Sequence, residues 1–406
     1  MTKWSKLDNK FINKIMRKKI LILVGSYLPG TKSAGVTTSI SRMVEELSDK
    51  MEFYILTEDR DKGDTKPYQN VELERWVKNG RANVFYSSKY LRSLGYFSNI
   101  VKSIDFDMYY LNGFYNISDN ARFFIMYYLG MIPSKRLIVA PRGIFSLGMF
   151  DNKLLLRKIY RTFFNVIGIV KLIDWHVTSD IEQEDVLKRF PNCKNKISII
   201  PNLTSLSVIS DLSNLTKRPG DIKIMFISRI SEKKNIKMSL EIMKKVKGHV
   251  EYDLYGMIGT ENDKKYWDEC KKIISELPPN IIVKYHGEVT KDVVPSIFKN
   301  HHLFIFPTFG ENYGHVIAES LASGCPILLS DMTPWNMLDK YGAGFNVSVL
   351  DFEGYVNRLQ KFIDMDNQEW RCYSNRALAV AMDYVDNNRT INKYLKYFIN
   401  YESKSI

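Results

Sequence analysis

The chain has 406 residues, long for one compact core and comfortable for two domains. Hydrophobic residues at 45% and charged residues at 25% are those of an ordinary soluble globular protein. A net charge of +13 points to a polyanionic partner, while Cys193, Cys270, Cys325 and Cys372 are too scattered for a zinc site or a disulfide framework and fit a reducing compartment.

The first twenty residues, MTKWSKLDNKFINKIMRKKI, are basic: Lys3, Lys6, Lys10, Lys14, Arg17, Lys18 and Lys19 stand against Asp8. They lack a signal peptide's apolar centre, so export is not expected. Phe11, Ile12, Ile15 and Met16 follow a helical stripe, which either lies in an anionic bilayer face or packs on the N-terminal domain. FFIMYYLGMI (123–132) and FFNVIGIVKLI (163–173) fall short of the ~18 apolar residues of a membrane span. No basic run interleaved with aromatics suggests a nucleic-acid reader. The polyanion is then an anionic membrane face, or the charge is simply a basic, soluble surface.

Strands are predicted at KILILVG (19–25), FYILT (53–57), MYYLNG (108–113), LIVAPRG (137–143), WHVTSD (175–180) and ISIIPN (197–202). A Ser-, Asn- and Thr-rich run at 202–221 ends in Pro-Gly and reads as a linker. Strands resume at IKIMFISRI (222–230), YDLYGM (252–257), IIVKYHGEV (281–289), LFIFPT (303–308) and PILLSD (326–331). Near-continuous apolar strands separated by helical patterns indicate parallel sheets covered on both faces. The expectation is two doubly wound α/β domains joined at about residue 205, with ligands beyond the carboxyl ends of the strands and in the cleft between domains.

Four strand-end loops are candidates for chemistry. YLPGTKSAGV, with Gly30 and Gly35, is a glycine loop that is neither GxGxxG nor a P-loop. APRGIF offers Arg142 and Gly143. FISRISEKKNI places Arg229 and Lys234 where two fixed cations could neutralise a diphosphate leaving group. PTFGENYG leads into the helix HVIAESLAS, whose first amides, near Tyr313, Gly314, His315 and Val316, suit a phosphate. Glu311 at the mouth and Glu319 eight residues later lie too far apart to share one proton or one metal; they read as contacts to separated hydroxyls of one extended ligand.

Glu311-x7-Glu319 within PTFGENYG and AESLASGCPILLSD resembles the signature of family 4 retaining glycosyltransferases of the GT-B fold. SRISEKKN is similar to that family's Arg-x4-Lys element, YHGEV to its base-contacting strand end, and YLPGTKSAGV to its N-terminal glycine loop. The resemblance implies two Rossmann-like domains facing across a cleft: 1–205 for the acceptor, 206–385 for the nucleotide sugar, and a helix in 386–406 returning to the first. It implies that Glu311 contacts the donor sugar, Glu319 the ribose, and Arg229 and Lys234 the diphosphate, with amides from Tyr313 to Val316. Gly287, Glu288 and Val289 would border the base. Asn235 stands where many relatives have glycine, and Ile144 where close relatives often have an acidic residue. The family's sugar-side histidine has no counterpart in APRGIF, which leaves Arg142 as the candidate.

No DxD-like pair stands at a strand end, and neither metal nor cofactor is expected. The expected activity is sugar transfer, with retention, from a nucleotide-diphosphate sugar to a saccharide or lipid-linked saccharide acceptor in bacterial surface-polysaccharide assembly. The expected place is the cytoplasm, at the inner membrane face. The alternative is an inactive GT-B scaffold or partner subunit, which a donor-binding test separates from an enzyme.

Overall fold

The computed structural model describes residues 17–30, 34–61, 63–88, 93–116, 119–146, 154–204, 215–384 and 387–399. The apolar stripe expected within residues 1–16 lies outside the described residues, as does the centre of the expected linker. The chain divides into two units: Met1–Phe145 with Asp151–Leu203 and Asn388–Ile406, and Thr204–Asn387 with Ser146–Phe150.

The first unit runs β1 (Lys18–Leu23), α1 (Ala34–Leu47), β2 (Met51–Glu58), β3 (Trp76–Asn79), β4 (Ala82–Ser87), α2 (Leu94–Lys102) and β5 (Met108–Asn112). It continues with α3 (Asn120–Tyr128), β6 (Arg136–Ala140), α4 (Leu154–Val166), α5 (Ile169–Leu172), β7 (Ile173–Val177), α6 (Asp180–Arg189) and β8 (Ile197–Ile199). The sheet order is β3-β4-β2-β1-β5-β6-β7-β8, with β3 alone antiparallel to its neighbour. Alternate residues of the central strands feed two core layers. Ile20, Ile22, Phe53 and Ile55 join Ile40, Met43, Val44 and Leu47 of α1 in one; Leu21, Leu23 and Leu56 join Phe85 and Tyr109 in the other. The β3–β4 hairpin is not among the predicted strands. It turns through Gly80 and Arg81, with Gly80 at φ +58°, and its short first strand carries little apolar pattern.

The second unit runs β9 (Asp221–Ile227), α7 (Ile236–Met243), β10 (His249–Tyr255), α8 (Glu261–Ser275), β11 (Ile281–Gly287), α9 (Val294–Lys299) and β12 (Leu303–Phe306). Then come α10 (His315–Ala322), β13 (Ile327–Ser330), α11 (Leu338–Tyr341), β14 (Gly344–Val347), α12 (Phe352–Asp364) and α13 (Asn367–Tyr384). Its sheet is wholly parallel in the order β11-β10-β9-β12-β13-β14. The four-residue edge strand β14 was not predicted either. Winding reverses between β9 and β12, which pair through Leu303 opposite Ile224 and Phe304 opposite Met225. At such a reversal the two following loops diverge to opposite faces and leave a crevice.

The chain ends its described course in α14 (Asn387–Ile399), which belongs to the first unit. Tyr394 and Phe398 are buried in the β1–α1 layer. The Arg136 guanidinium lies 4.3 Å over the Tyr397 ring and donates to the Tyr397 carbonyl at 2.5 Å.

Candidate active site

The loops after β9 and β12 meet at the reversal, and backbone geometry fixes the first of them. Ser228 N–H donates to Tyr255 O at 3.1 Å and Ile230 N–H to Met257 O at 3.0 Å, so Arg229 is held between two ties to the end of β10. That approach requires Gly256: at φ +144°, a Cβ there would meet Ser228 O at 1.8 Å. Arg229 itself is exposed and makes no hydrogen bond or ion pair among the described residues.

A 3-10 turn over Glu232–Lys234 then ends at Asn235, in the left-handed conformation at φ +57°. The glycine expected of relatives is thus replaced by the residue type that tolerates this conformation best after glycine. Asn235 adds what glycine cannot. Its Nδ2 donates to Pro307 O at 3.0 Å and ties the first loop to the second. Phe309 N–H and Thr308 Oγ1 both donate to Lys233 O, at 2.9 and 3.2 Å. Ser330 Oγ donates to Thr308 O at 2.7 Å, and Glu311 N–H to Met332 O at 3.2 Å. The outcome is an ion pair between Lys234 Nζ and Glu311 Oε1, with the side chains 12% and 18% exposed. Lys234 Nζ also sits 5.2 Å from the Phe306 ring centroid. The ammonium retains two N–H groups and the carboxylate a second oxygen, so each can take a further partner without breaking the pair.

Gly314 starts α10 at φ +78°, where a Cβ would meet Ile317 Cδ1 at 2.6 Å. The helix ladder begins with Ile317 N–H and Ala318 N–H donating to Gly314 O, at 2.9 and 3.3 Å. The Tyr313 carbonyl is fixed from behind by Trp335 Nε1 at 2.6 Å, and the Tyr313 ring lies 4.9 Å from His315. His315 and Val316 are half-buried at the helix start. Glu319 lies in the second turn; burial pushes its carboxyl up from the usual range, against the lowering effect of Lys291. The Glu319 side chain is half-buried. Lys291 was not singled out in the sequence, because only its proximity to Glu319 marks it.

Gly287 ends the edge strand β11 at φ +76° and accepts a bond from Gly256 N–H at 2.7 Å. Glu288 beyond it is exposed, and Val289 packs on the core of the unit. These residues stand two strands from the Arg229 loop, on the same edge of the sheet.

In the first unit, Gly35 lies in the opening turn of α1, exposed, with open space around its Cβ position. No close approach demands glycine there. Arg142 takes φ +57° and directs its guanidinium inward: Nε to Asn112 Oδ1 at 3.1 Å, Nη1 to Asn202 Oδ1 at 2.6 Å, and Nη2 to the Tyr110 hydroxyl at 3.0 Å. Three of its N–H groups are thus engaged by neutral acceptors of its own unit, and the side chain remains partly exposed. The Tyr110 hydroxyl lies 2.5 Å from His176 Nδ1, whose Nε2 faces the Ile200 carbonyl at 2.9 Å. Burial, with Arg142 nearby, takes His176 down to about 3, so the ring is neutral. Glu182 completes the set and was missed. Ser179-x-x-Glu182 reads as a capping box, and Ser179 does accept Glu182 N–H at 3.2 Å. Yet the carboxylate turns away to accept Gly143 N–H at 2.6 Å and Thr178 N–H at 2.8 Å.

Among the described residues no group of three or more His, Cys, Asp or Glu side chains is placed to hold a metal. No described helix is long and apolar enough to cross a membrane.

The mixed α/β fold of this chain, with its two largely parallel sheets, is of the GT-B class. Residues 210–377 match the family described as Glycosyl transferases group 1. The capsular polysaccharide biosynthesis glycosyltransferase CapM of Staphylococcus aureus is 27% identical over 187 residues, 45% of each chain. The alignment spans about half the length of the curated relatives it matches, 45% and 56%. Among solved structures, sucrose-phosphate synthase from Thermosynechococcus elongatus superposes with a TM-score of 0.71 at 14% identity, covering 95% of this chain and 99% of that one. HepE of Anabaena, solved with UDP and glucose, gives 0.67 at 15% identity over 95% and 100%. At such identities the likeness is one of fold.

Proposed function

We propose that the protein is a retaining glycosyltransferase that moves a sugar from a nucleotide-diphosphate sugar to a saccharide acceptor, lipid-linked, in bacterial cell-surface polysaccharide synthesis. The observation that carries this reading is the ion pair of Lys234 with Glu311 at the switch point, with Arg229 on the same loop as Lys234 and the half-buried Glu319 in the second turn of the helix that follows Glu311. A nucleotide sugar lies along that line with its diphosphate at Arg229, Lys234 and the amides of Tyr313 to Val316. Its sugar hydroxyls meet Glu311, its ribose meets Glu319, and its base borders Gly287 to Val289.

The bond from the anomeric carbon to the phosphate oxygen breaks as the acceptor hydroxyl approaches on the same face. The acceptor's proton passes to the departing phosphate oxygen. Charge grows on that phosphate in the transition state, where the fixed cations contribute most. Two cations and a helix start take the place of a divalent ion, so the chemical step needs no metal. HepE was crystallised with UDP and with UDP-glucose, which supports a nucleotide-sugar donor here. CapM's role in capsule synthesis supports the polysaccharide setting. The net charge of +13 supports work at an anionic membrane face.

The test is a thermal-shift screen against UDP, GDP, ADP and CMP sugars, followed by transfer assays with Arg229→Ala and Lys234→Ala. Each variant should depress turnover strongly while EDTA leaves the wild type unaffected. Strict divalent dependence of the chemical step would refute the charge assignment.

A further inference from the structure

We infer that the outer face of α4 docks on an anionic lipid surface. This rests on the membrane-face reading of the proposed function and not on its sugar chemistry. α4 buries Tyr160 and Phe164 in the first unit, with Phe164 5.1 Å from Phe124 of α3. At about 100° per residue, Leu155, Leu156, Ile159, Phe163 and Val166 fall within one arc of about 100° beside that buried edge. They are exposed by 71%, 54%, 58%, 50% and 77%. Single exposed apolar side chains are ordinary, but five on one arc form a contiguous patch of the kind soluble monomers rarely leave uncovered.

Charge decides what covers it. Arg157, Lys158 and Arg161 lie on the remaining arc, Lys171 follows on α5, and no acidic residue occurs between Leu154 and Ile173. Arg157 is braced 5.0 Å over the Tyr115 ring and Arg161 donates to the Tyr115 hydroxyl, while Lys158 and Lys171 are exposed. An apolar arc with the exposed Lys158 on its open border, Lys171 beyond its end and no acidic residue on the helix is the pattern of a helix lying in a bilayer interface, apolar side inward and cations at the headgroups. A second copy would bring the same basic border against itself, and residues 1–16 of this chain, themselves basic, would do the same.

The experiment is co-sedimentation of the full-length protein with phosphatidylcholine vesicles, with and without phosphatidylglycerol. The wild type should sediment with the anionic vesicles only. The triple variant Leu155→Ser, Ile159→Ser, Phe163→Ser should lose binding by on the order of tenfold or more. Lys158→Glu, which leaves the apolar arc intact, should show a smaller loss that added salt reproduces in the wild type. All three side chains are exposed, so an unchanged melting temperature and an unchanged nucleotide thermal shift show that the variant is folded. Wild-type vesicle binding by the triple variant would overturn the α4 assignment while leaving the membrane reading in place. Failure of the wild type to bind either vesicle would overturn both. A dimer that the triple variant converts to monomer would give the face to a second copy and overturn the lipid.

Discussion

Replacing Glu311 by alanine should separate nucleotide binding from sugar transfer. The Lys234–Glu311 pair is largely shielded, and removing one partner of a fully buried pair costs about 3–5 kcal/mol. With 12% and 18% of the two side chains still in water, a stability loss of about 2–3 kcal/mol is the scaled expectation. A bound nucleoside diphosphate would relieve this, since it supplies the missing negative charge. It would also escape the carboxylate: at an effective dielectric of about 20, unit charges about 6 Å apart repel by about 3 kcal/mol. The variant should therefore melt lower when empty, gain more from the nucleotide, and bind the bare diphosphate on the order of a hundredfold more tightly. Transfer should be lost. Urea unfolding gives the stability, and titration calorimetry, with whichever nucleotide binds the wild type, gives the affinity. Glu311→Gln, which keeps an acceptor but not the charge, should share the tighter binding. Weaker diphosphate binding in both variants would show that Lys234 is not a phosphate ligand and that this reasoning is wrong.

Asn235→Ala should cost about 2 kcal/mol in urea unfolding, from left-handed strain and the lost bond to Pro307 O, whereas Asn235→Gly should cost about 1 kcal/mol for the bond alone. Equal losses would show that backbone conformation is irrelevant there. Gly256→Ala forces a Cβ onto Ser228 O and should lower the melting temperature steeply, by about 3 kcal/mol or more, with nucleotide binding lost alongside. Acid should destabilise the protein through His302. Its Nδ1 accepts Lys223 N–H at 2.9 Å and its Nε2 faces Thr216 O at 3.1 Å, and burial takes it down to about 4 from 6.5. The unfolded chain binds that proton first, so the contribution is complete above about pH 6.5 and is lost as pH falls toward 4, by up to about 1.4 kcal/mol per unit. The His302→Asn variant should show a flatter unfolding free energy across that window; an unaltered slope would assign the acid sensitivity to other groups.

Much of the site was legible because punctuation and chemistry coincide in it. Strand, glycines and helix around Glu311 and Glu319 sit on adjacent residues, and so do the strand end, Arg229 and Lys234. What local pattern could not carry was distance along the chain. Lys234 and Glu311 are 77 residues apart, and their pairing follows from the order β9-β12, which no short window contains. The hydrogen bonds of Arg142 were out of reach for the same reason. Its acceptors Asn112, Asn202 and Tyr110 come from remote segments, which no local pattern connects to it. Glu182 was hidden by a local motif that fits it equally well. The glycine-to-Asn235 departure, by contrast, marked a real conformational constraint.

The assignment of α14 to the first unit bears on how the protein is made. A chain emerging from the ribosome delivers β1 to β8 early, yet the layer that includes Ile20, Ile40 and Phe53 is closed by Tyr394 and Phe398, which arrive after the whole second unit has been synthesised. The later-made unit is nearly contiguous in sequence and can finish first. The earlier one waits, one apolar layer open, through roughly 180 residues of synthesis, at about 5–20 residues per second. Loss of α14 to a late stop codon or to trimming by proteases would thus damage the unit farthest from it in sequence, and such products would be expected to engage chaperones through the uncovered β1–α1 layer.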